Sequence, residues 1–308
     1  MIAISGCSPR RGAASGEEPS VSLPPQSSAE ERPSEPESSK PEESESSADE
    51  ESRDDKEDDK EDDEESAITA MSMEHSQIAA VDGGLLEWGS GGPTDQSGRP
   101  NGATLYQQKY GKYDAYFILP ASEKVYLTFD EGYEYGFTPM ILDTLKEKGV
   151  TAVFFITGHF ARTEHDLVRR MIDEGHVIGN HSGKHKIFPS MPLSEAAEDI
   201  TSLHEYVKST FGYEMNLFRF PEGKFSEQTL ALLQSLGYKS VFWSFAYLDY
   251  DVNNQPLTID ALERITSKAH PGAIYLLHAV SRTNAEVLGE AIDAIRNKGY
   301  TFAKLDVD

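Results

Sequence analysis

VYLTFDEGYEYG, residues 125–136, decides the fold. An apolar, β-branched and aromatic run stops at two adjacent carboxylates, Asp130 and Glu131, followed by Gly132. A run with no polar alternation is the pattern of a strand buried on both faces, as in a parallel sheet. C-terminal to it, similar runs recur: TAVFFITG (151–158), HVIGNH (176–181), LFRFP (217–221), SVFWSF (240–245), AIYLLH (273–278) and TFAKL (301–305). Helix-like segments lie between them, at 139–148, 166–174, 194–210, 226–236, 258–268 and 284–298. Gly149, Gly175, Gly212, Gly237 and Gly299 close several of these, as helix C-termini often do, and Ser194 and Ser226 stand where N-caps belong. Seven strands alternating with helices predict an α/β fold built on a parallel sheet, either doubly wound or closed as a barrel.

The N-terminal part is of another kind. Of the chain's net charge of −25, residues 1–70 carry −15, from 22 acidic and 7 basic residues, and the first aromatic residue is Trp88. Such a segment cannot bury enough apolar surface to offset chain entropy, so residues 8–83 read as a disordered acidic tether. The folded domain is expected over 84–308, with a loop-rich extension at 84–120. The acidity excludes nucleic acid as a partner, because phosphates would be repelled. The single cysteine, Cys7, excludes an internal disulfide framework. Its context, ISGC, resembles the end of a bacterial lipobox and implies a lipid anchor ahead of a polar tether. Only six residues precede it, fewer than a leader's charged and apolar regions need, so that reading calls for sequence upstream.

In parallel α/β folds chemistry collects at the C-terminal ends of strands. Asp130-Glu131, His181 with His185, Arg219 with Pro221-Glu222, Asp249 and His278 all fall there. His181 and His185, four residues apart, can converge on a metal. Arg219, between Phe218 and Phe220, demands a carboxylate partner if buried. Each also has a plain reading: solvated loop acids, an exposed HSGKHK loop, a core histidine at 278. His159, at the end of ITGHF, is left without a role.

Taken in order, these residues resemble the NodB-homology polysaccharide deacetylases (carbohydrate esterase family 4). Thr128-Phe129-Asp130-Glu131 resembles the family's T-F-D-D, His181-Ser182-Gly183-Lys184-His185 its H-S-x-x-H, and Arg219-Phe220-Pro221 its R-x-P. Asp249-Tyr250 stands for a motif ending D-W, and Leu276-Leu277-His278 for L-x-H. LTFDEGYEYG, FFITGHF, DEGHVIGNHS and HPGAIYLLHAVSRTNAEVL are similar to the PdaA-type, delta-lactam-biosynthetic de-N-acetylases, which act on muramic acid in spore peptidoglycan. The resemblance implies a seven-stranded distorted (β/α) barrel. It also implies hydrolysis of N-acetyl groups on peptidoglycan by a monomeric enzyme outside the cell membrane, anchored or secreted to a Gram-positive-type wall. A divalent ion, zinc before others, would be held by Glu131, His181 and His185. Asp130 would be the base, oriented by Arg219, and His278 the acid, oriented by Asp249. Pro221, Glu222, Tyr250 and Leu276 would bind substrate, with the Glu222 backbone N–H at the oxyanion. For Asp130 and Glu131 to share one pocket, the chain must turn at Gly132 and break the strand's alternation.

Departures accompany the matches. Glu131 replaces Asp, Phe220 replaces a proline, Ala246 replaces the first acid of the fourth motif and Tyr250 replaces Trp. N-acetylglucosamine is the alternative substrate. A glycosidase using Asp130 and Glu222, or a non-catalytic wall-binding module, are the competing functions.

Overall fold

The structure, a computed structural model, describes residues 76–89 and 92–307. Cys7 and most of the expected tether lie outside these residues. The folded part reaches further back than expected. A helical turn at 76–79 precedes the expected boundary at residue 84, and Ile78 is buried in the main core. Gln228 ties this segment down, its side chain donating to the carbonyls of Ala79 and Val81. One isoleucine in a polar stretch is too weak a periodic signal to reveal this in advance.

The domain is built on strands β3 (Lys124–Glu131), β4 (Val153–Ile156), β5 (Val177–Asn180), β6 (Leu217–Phe218), β8 (Lys239–Val241), β9 (Ile274–His278) and β10 (Thr301–Phe302). These are the seven expected strands. An eighth, β2 (Ala115–Tyr116), comes from the extension and pairs with β8. All pairings in this sheet are parallel, with β3 between β9 on one edge and β4 and β10 on the other, continuing through β5, β6 and β8. The chain beyond β8 returns to β9 through a parallel bridge between Phe245 and Tyr275, which curls the sheet into the distorted barrel. A separate antiparallel pair, β1 (Leu86–Glu87) with β7 (Lys224–Phe225), adds to the expected strands.

Helices α1 (Asn101–Tyr110), α2 (Thr138–Lys148), α3 (Gly158–Thr163), α4 (His165–Asp173), α5 (Leu193–Phe211), α6 (Glu227–Ser235), α7 (Thr258–Ser267) and α8 (Arg282–Asn297) complete the domain. Ser226 caps α6, its hydroxyl accepting from the N–H of Thr229 while Thr229 answers to the Ser226 N–H. Ser194 does not cap α5; the helix starts one residue earlier, after Pro192, whose fixed φ suits a helix entry. Gly149 and Gly212 end α2 and α5 in the left-handed conformation that glycine adopts without strain.

Two cores follow from strand alternation. On β3, Val125, Leu127 and Phe129 join the large cluster shared with the helices. Tyr126 points the other way and packs with Val153, Phe155, Val177, Leu217, Val241 and Ile274 inside the curl. That inner cluster fills the barrel below the rim where Asp130 stands.

Candidate active site

A cleft of about 1100 Å³ opens over the C-terminal ends of the strands, lined by Asp130, His181, His185, Glu222, Leu276, Tyr250 and His278 among others. Parallel register brings them together: Asp130 on β3 stands beside His278 on β9, and Asn180 on β5 beside Phe218 on β6, one residue before Arg219.

Arg219 is wholly buried beneath the cleft and every arm of its guanidinium is used. Nη1 donates to Asp130 Oδ1 at 2.8 Å, Nε to the Val241 carbonyl at 3.0 Å and Nη2 to the Phe242 carbonyl at 3.1 Å. The Phe155 ring lies 4.1 Å below it. The carboxylate partner that a buried arginine demands is therefore Asp130. Burial alone would push the Asp130 carboxyl up. The Arg219 charge, then those of His181 and His278, outweigh it and hold the group below its ordinary value. Asp130 is an ionised carboxylate facing the cleft.

His181 Nδ1 donates to the Arg219 carbonyl at 2.8 Å, leaving its Nε2 lone pair toward Asp130 Oδ2, 3.5 Å away. Burial, countered by Asp130 and reinforced by His185, lowers its pKa to about 4, so the imidazole is neutral at pH 7. The HSGKH stretch is no helix. Ser182 and His185 take positive φ (74° and 52°), and the Ser182 hydroxyl accepts the N–H groups of Lys184 and His185. This knot turns the His185 ring to within 5.0 Å of the His181 ring. Asp199 on α5 fastens it from behind, accepting from Ser182 Oγ at 2.7 Å and the Gly183 N–H at 2.8 Å.

Glu131 departs from expectation. β3 continues through it, alternation holds, and its carboxyl enters the helix layer instead of the cleft. It is fully buried, 3.4 Å from the Thr138 hydroxyl at the start of α2, with Oε1 lacking any partner. Burial first, then the nearby Glu134 carboxylate, pushes its pKa well up, which favours the protonated acid. Among the described residues no three His, Cys, Asp or Glu side chains converge as a metal-binding group. The two imidazoles fit a divalent ion: both border the cleft, and the bond from His181 Nδ1–H fixes the tautomer that leaves Nε2 free to ligate. Glu131 does not fit as their third ligand.

Across the cleft, Asp249 is fully buried and accepts from His278 Nδ1 at 2.7 Å and from the His278 N–H at 2.9 Å. Burial would lower the His278 pKa, but the bond and charge of Asp249, aided by Asp130, raise it above 6.5. Asn284 on α8 holds Asp249 in turn, Nδ2 to Oδ2 at 2.6 Å, and Tyr247 bonds Asn284. Asn284 and Asp199 are functional supports that the motifs did not reveal; both sit on helices, where a lone polar residue reads as surface. Tyr250 is half-exposed with its ring 5.5 Å from that of His278, and Leu276 lines the cleft at 5% exposure. Glu222 borders the cleft and is paired with Lys224 at 2.7 Å. Pro221 does not reach the cleft lining; it is buried and opens the short 3₁₀ turn that presents Glu222. His159 does reach it, with its ring 4.5 Å from that of Tyr133.

Comparison with known proteins bears on this geometry. The sequence profile described as "Polysaccharide deacetylase" matches residues 120–241. The chain is 42% identical over 233 residues to the peptidoglycan-N-acetylmuramic acid deacetylase PdaA of Bacillus subtilis, covering 75% of this chain and 88% of that one. The solved structure of B. subtilis PdaA, described as a family 4 carbohydrate esterase, superposes with a TM-score of 0.69 at 41% identity, over 73% of this chain and 96% of the other. A peptidoglycan-N-acetylglucosamine deacetylase of Bacillus cereus is 31% identical over 200 residues, 63% of this chain and 71% of the relative.

Proposed function

Since the chain belongs to the polysaccharide deacetylase family of carbohydrate esterases, we propose that it removes N-acetyl groups from peptidoglycan, and from N-acetylmuramic acid in particular. The observation that carries the reading is the pair of oppositely tuned groups facing each other across one cleft. Arg219, 2.8 Å away, holds the Asp130 pKa down, and Asp249, 2.7 Å from its ring nitrogen, holds the His278 pKa up. Hydrolysis of an unactivated amide needs both, a base for water and an acid for the amine. The muramic acid assignment is supported by the higher identity and longer coverage of the muramic acid deacetylase among the relatives.

The reaction divides among the residues as follows. Asp130 takes a proton from water as its oxygen bonds to the acetyl carbon. Arg219 is fully buried below the cleft with each of its three nitrogens engaged, so it acts by fixing and charging Asp130. As the C–N bond breaks, the His278 Nε2 proton passes to the leaving nitrogen, giving acetate and a free amine. Asp249 holds the His278 ring by Nδ1 so that Nε2 faces the cleft. Leu276 and Tyr250 wall the space for the acetyl methyl. A divalent ion, zinc as first candidate, would be held by His181 and His185 and supply Lewis-acid polarisation of the acetyl carbonyl. Peptidoglycan as substrate supports a location outside the cell membrane, reached by a lipid anchor at Cys7 or by secretion to the wall.

Mass spectrometry of peptidoglycan fragments treated with the enzyme tests the reading. Loss of acetyl from muramic acid residues, with acetate in solution, is expected. Loss from glucosamine alone would reassign the substrate. Glycan binding without acetate release, unchanged in Asp130→Asn, would make the chain a wall-binding module, and chain cleavage without acetate release a glycosidase.

A further inference from the structure

The β1–β7 pair lies outside the run of βα units, and the chemistry above gives it no part. Leu86 pairs with Phe225 and Glu87 with Lys224. Trp88 continues the attachment: its main-chain N–H donates to the Gly223 carbonyl at 3.0 Å and its indole Nε1–H to the Trp243 carbonyl at 2.9 Å. The indole packs 4.8 Å from the rings of Tyr106 and Phe117 and is 7% exposed. The next residue, Gly89, reaches the cleft beside Glu222 and Trp243.

Each point where Trp88 grips lies on a segment that holds the arginine that carries Asp130. Gly223 ends the turn that follows Arg219 in the chain. Trp243 directly follows Val241 and Phe242, whose carbonyls take the Arg219 Nε and Nη2 protons. Trp88 thus bridges the two segments that hold the guanidinium, one by covalent continuity and one by hydrogen bonds. The fit there is close, since a Cβ on Gly223 would come within 2.8 Å of the Trp88 carbonyl and 2.9 Å of the Trp243 ring. The turn itself is under strain at Glu222, a non-glycine residue with φ 57°. A non-glycine residue keeps a left-handed conformation only where its surroundings impose it.

From this geometry we propose that Trp88 is a positioning residue for the reaction, a strap that fastens the Glu222 turn and the end of β8 together and so fixes Arg219 and Asp130. The proposal rests on the deacetylase reading. It assigns the N-terminal extension a share in turnover, where a structural cover would contribute stability alone.

The test is steady-state acetate release from peptidoglycan fragments by the wild type, Trp88→Ala and Trp88→Phe. Melting temperature serves as a fold control, as does the emission of Trp243, the sole tryptophan left in either variant. A positioning role predicts kcat about tenfold or more lower in Trp88→Ala with KM within about twofold, a loss confined to transition-state stabilisation. Trp88→Phe keeps ring packing and loses only the indole donor, so its kcat falls between the two. Wild-type kcat in a folded Trp88→Ala, or a rise in KM alone, overturns the proposal. If Trp88→Ala does not fold, Trp88→Phe decides, and an unchanged kcat there overturns it. A wild type that releases no acetate overturns the deacetylase reading and the strap with it, whereas equally active wild type and variants overturn the strap alone.

Discussion

The inner and outer faces at the end of β3 carry the same functional group under opposite conditions. On the inner face, Asp130 meets a buried guanidinium at 2.8 Å and stays ionised. On the outer face, one residue later, Glu131 meets a hydroxyl at 3.4 Å and another acid, and its pKa is pushed up. Both are almost completely buried, so desolvation acts on both; the partner decides the charge. A carboxylate becomes a base here because the fold supplies it with a cation, and the neighbouring carboxyl without one becomes part of the packing.

The comparison breaks first at catalysis. Asp130→Asn should lower kcat/KM for acetate release by about 10³, the size of a lost general base. Glu131→Gln should leave it within about threefold on the same principle. Equal losses in the two variants would end the asymmetry. Stability should follow the same division. Arg219→Leu strips the buried Asp130 of its partner and should cost about 3–5 kcal/mol in urea denaturation. Thr138→Val, which removes the contact to Glu131, should cost about 1 kcal/mol or less.

A smaller effect concerns the cleft's other wall. His278 must carry a proton to act, and its pKa is raised above 6.5, so activity should persist above that pH and decline as His278 deprotonates. Asp249→Asn removes the charge and bond that raise it, and the alkaline limb of the kcat/KM profile should move to lower pH. A limb that stays in place would detach His278 from this role. The smallest effect is the most diagnostic of the outer face. Because the Glu131 pKa is raised in the folded state, the folded chain holds a proton that the unfolded chain releases above about 4.5, and stability falls as pH rises through that range. Glu131→Gln removes this penalty. It should match the wild type near pH 4 and be more stable than it at pH 7, measured by thermal melting at both pH values.

Much of this was legible beforehand, for identifiable reasons. The seven expected strands announced themselves because each lies in an apolar run alternating with a helix, and the parallel topology then gathered Asp130, His181, His185, Glu222, Leu276, Tyr250 and His278 on one rim. Arg219 announced its own partner, since a guanidinium between two phenylalanines cannot stay unpaired. Strand alternation stood in plain view at Glu131, yet a motif match and Gly132 suggested that the strand ended one residue sooner. Pro221 was misplaced for a similar reason: a motif records which residues recur, not which of them touch the cleft. β1, β2 and β7 span two residues each, as β6 and β10 do, but stand outside the alternation of strand and helix that marked those two. Asn284 and Asp199 act through other residues from helices, where local sequence offers no sign of what lies across the core.

Two adjacent acids face opposite ways, and only the inner one belongs to the site. Calorimetric titration of zinc into the wild type, Glu131→Gln and His185→Ala tests this most directly. The wild type and Glu131→Gln should bind zinc with the same affinity, with a clear loss in His185→Ala. A loss in Glu131→Gln of about 10–100-fold, the scale of a disturbed ligand environment, would place Glu131 on the metal and contradict this division.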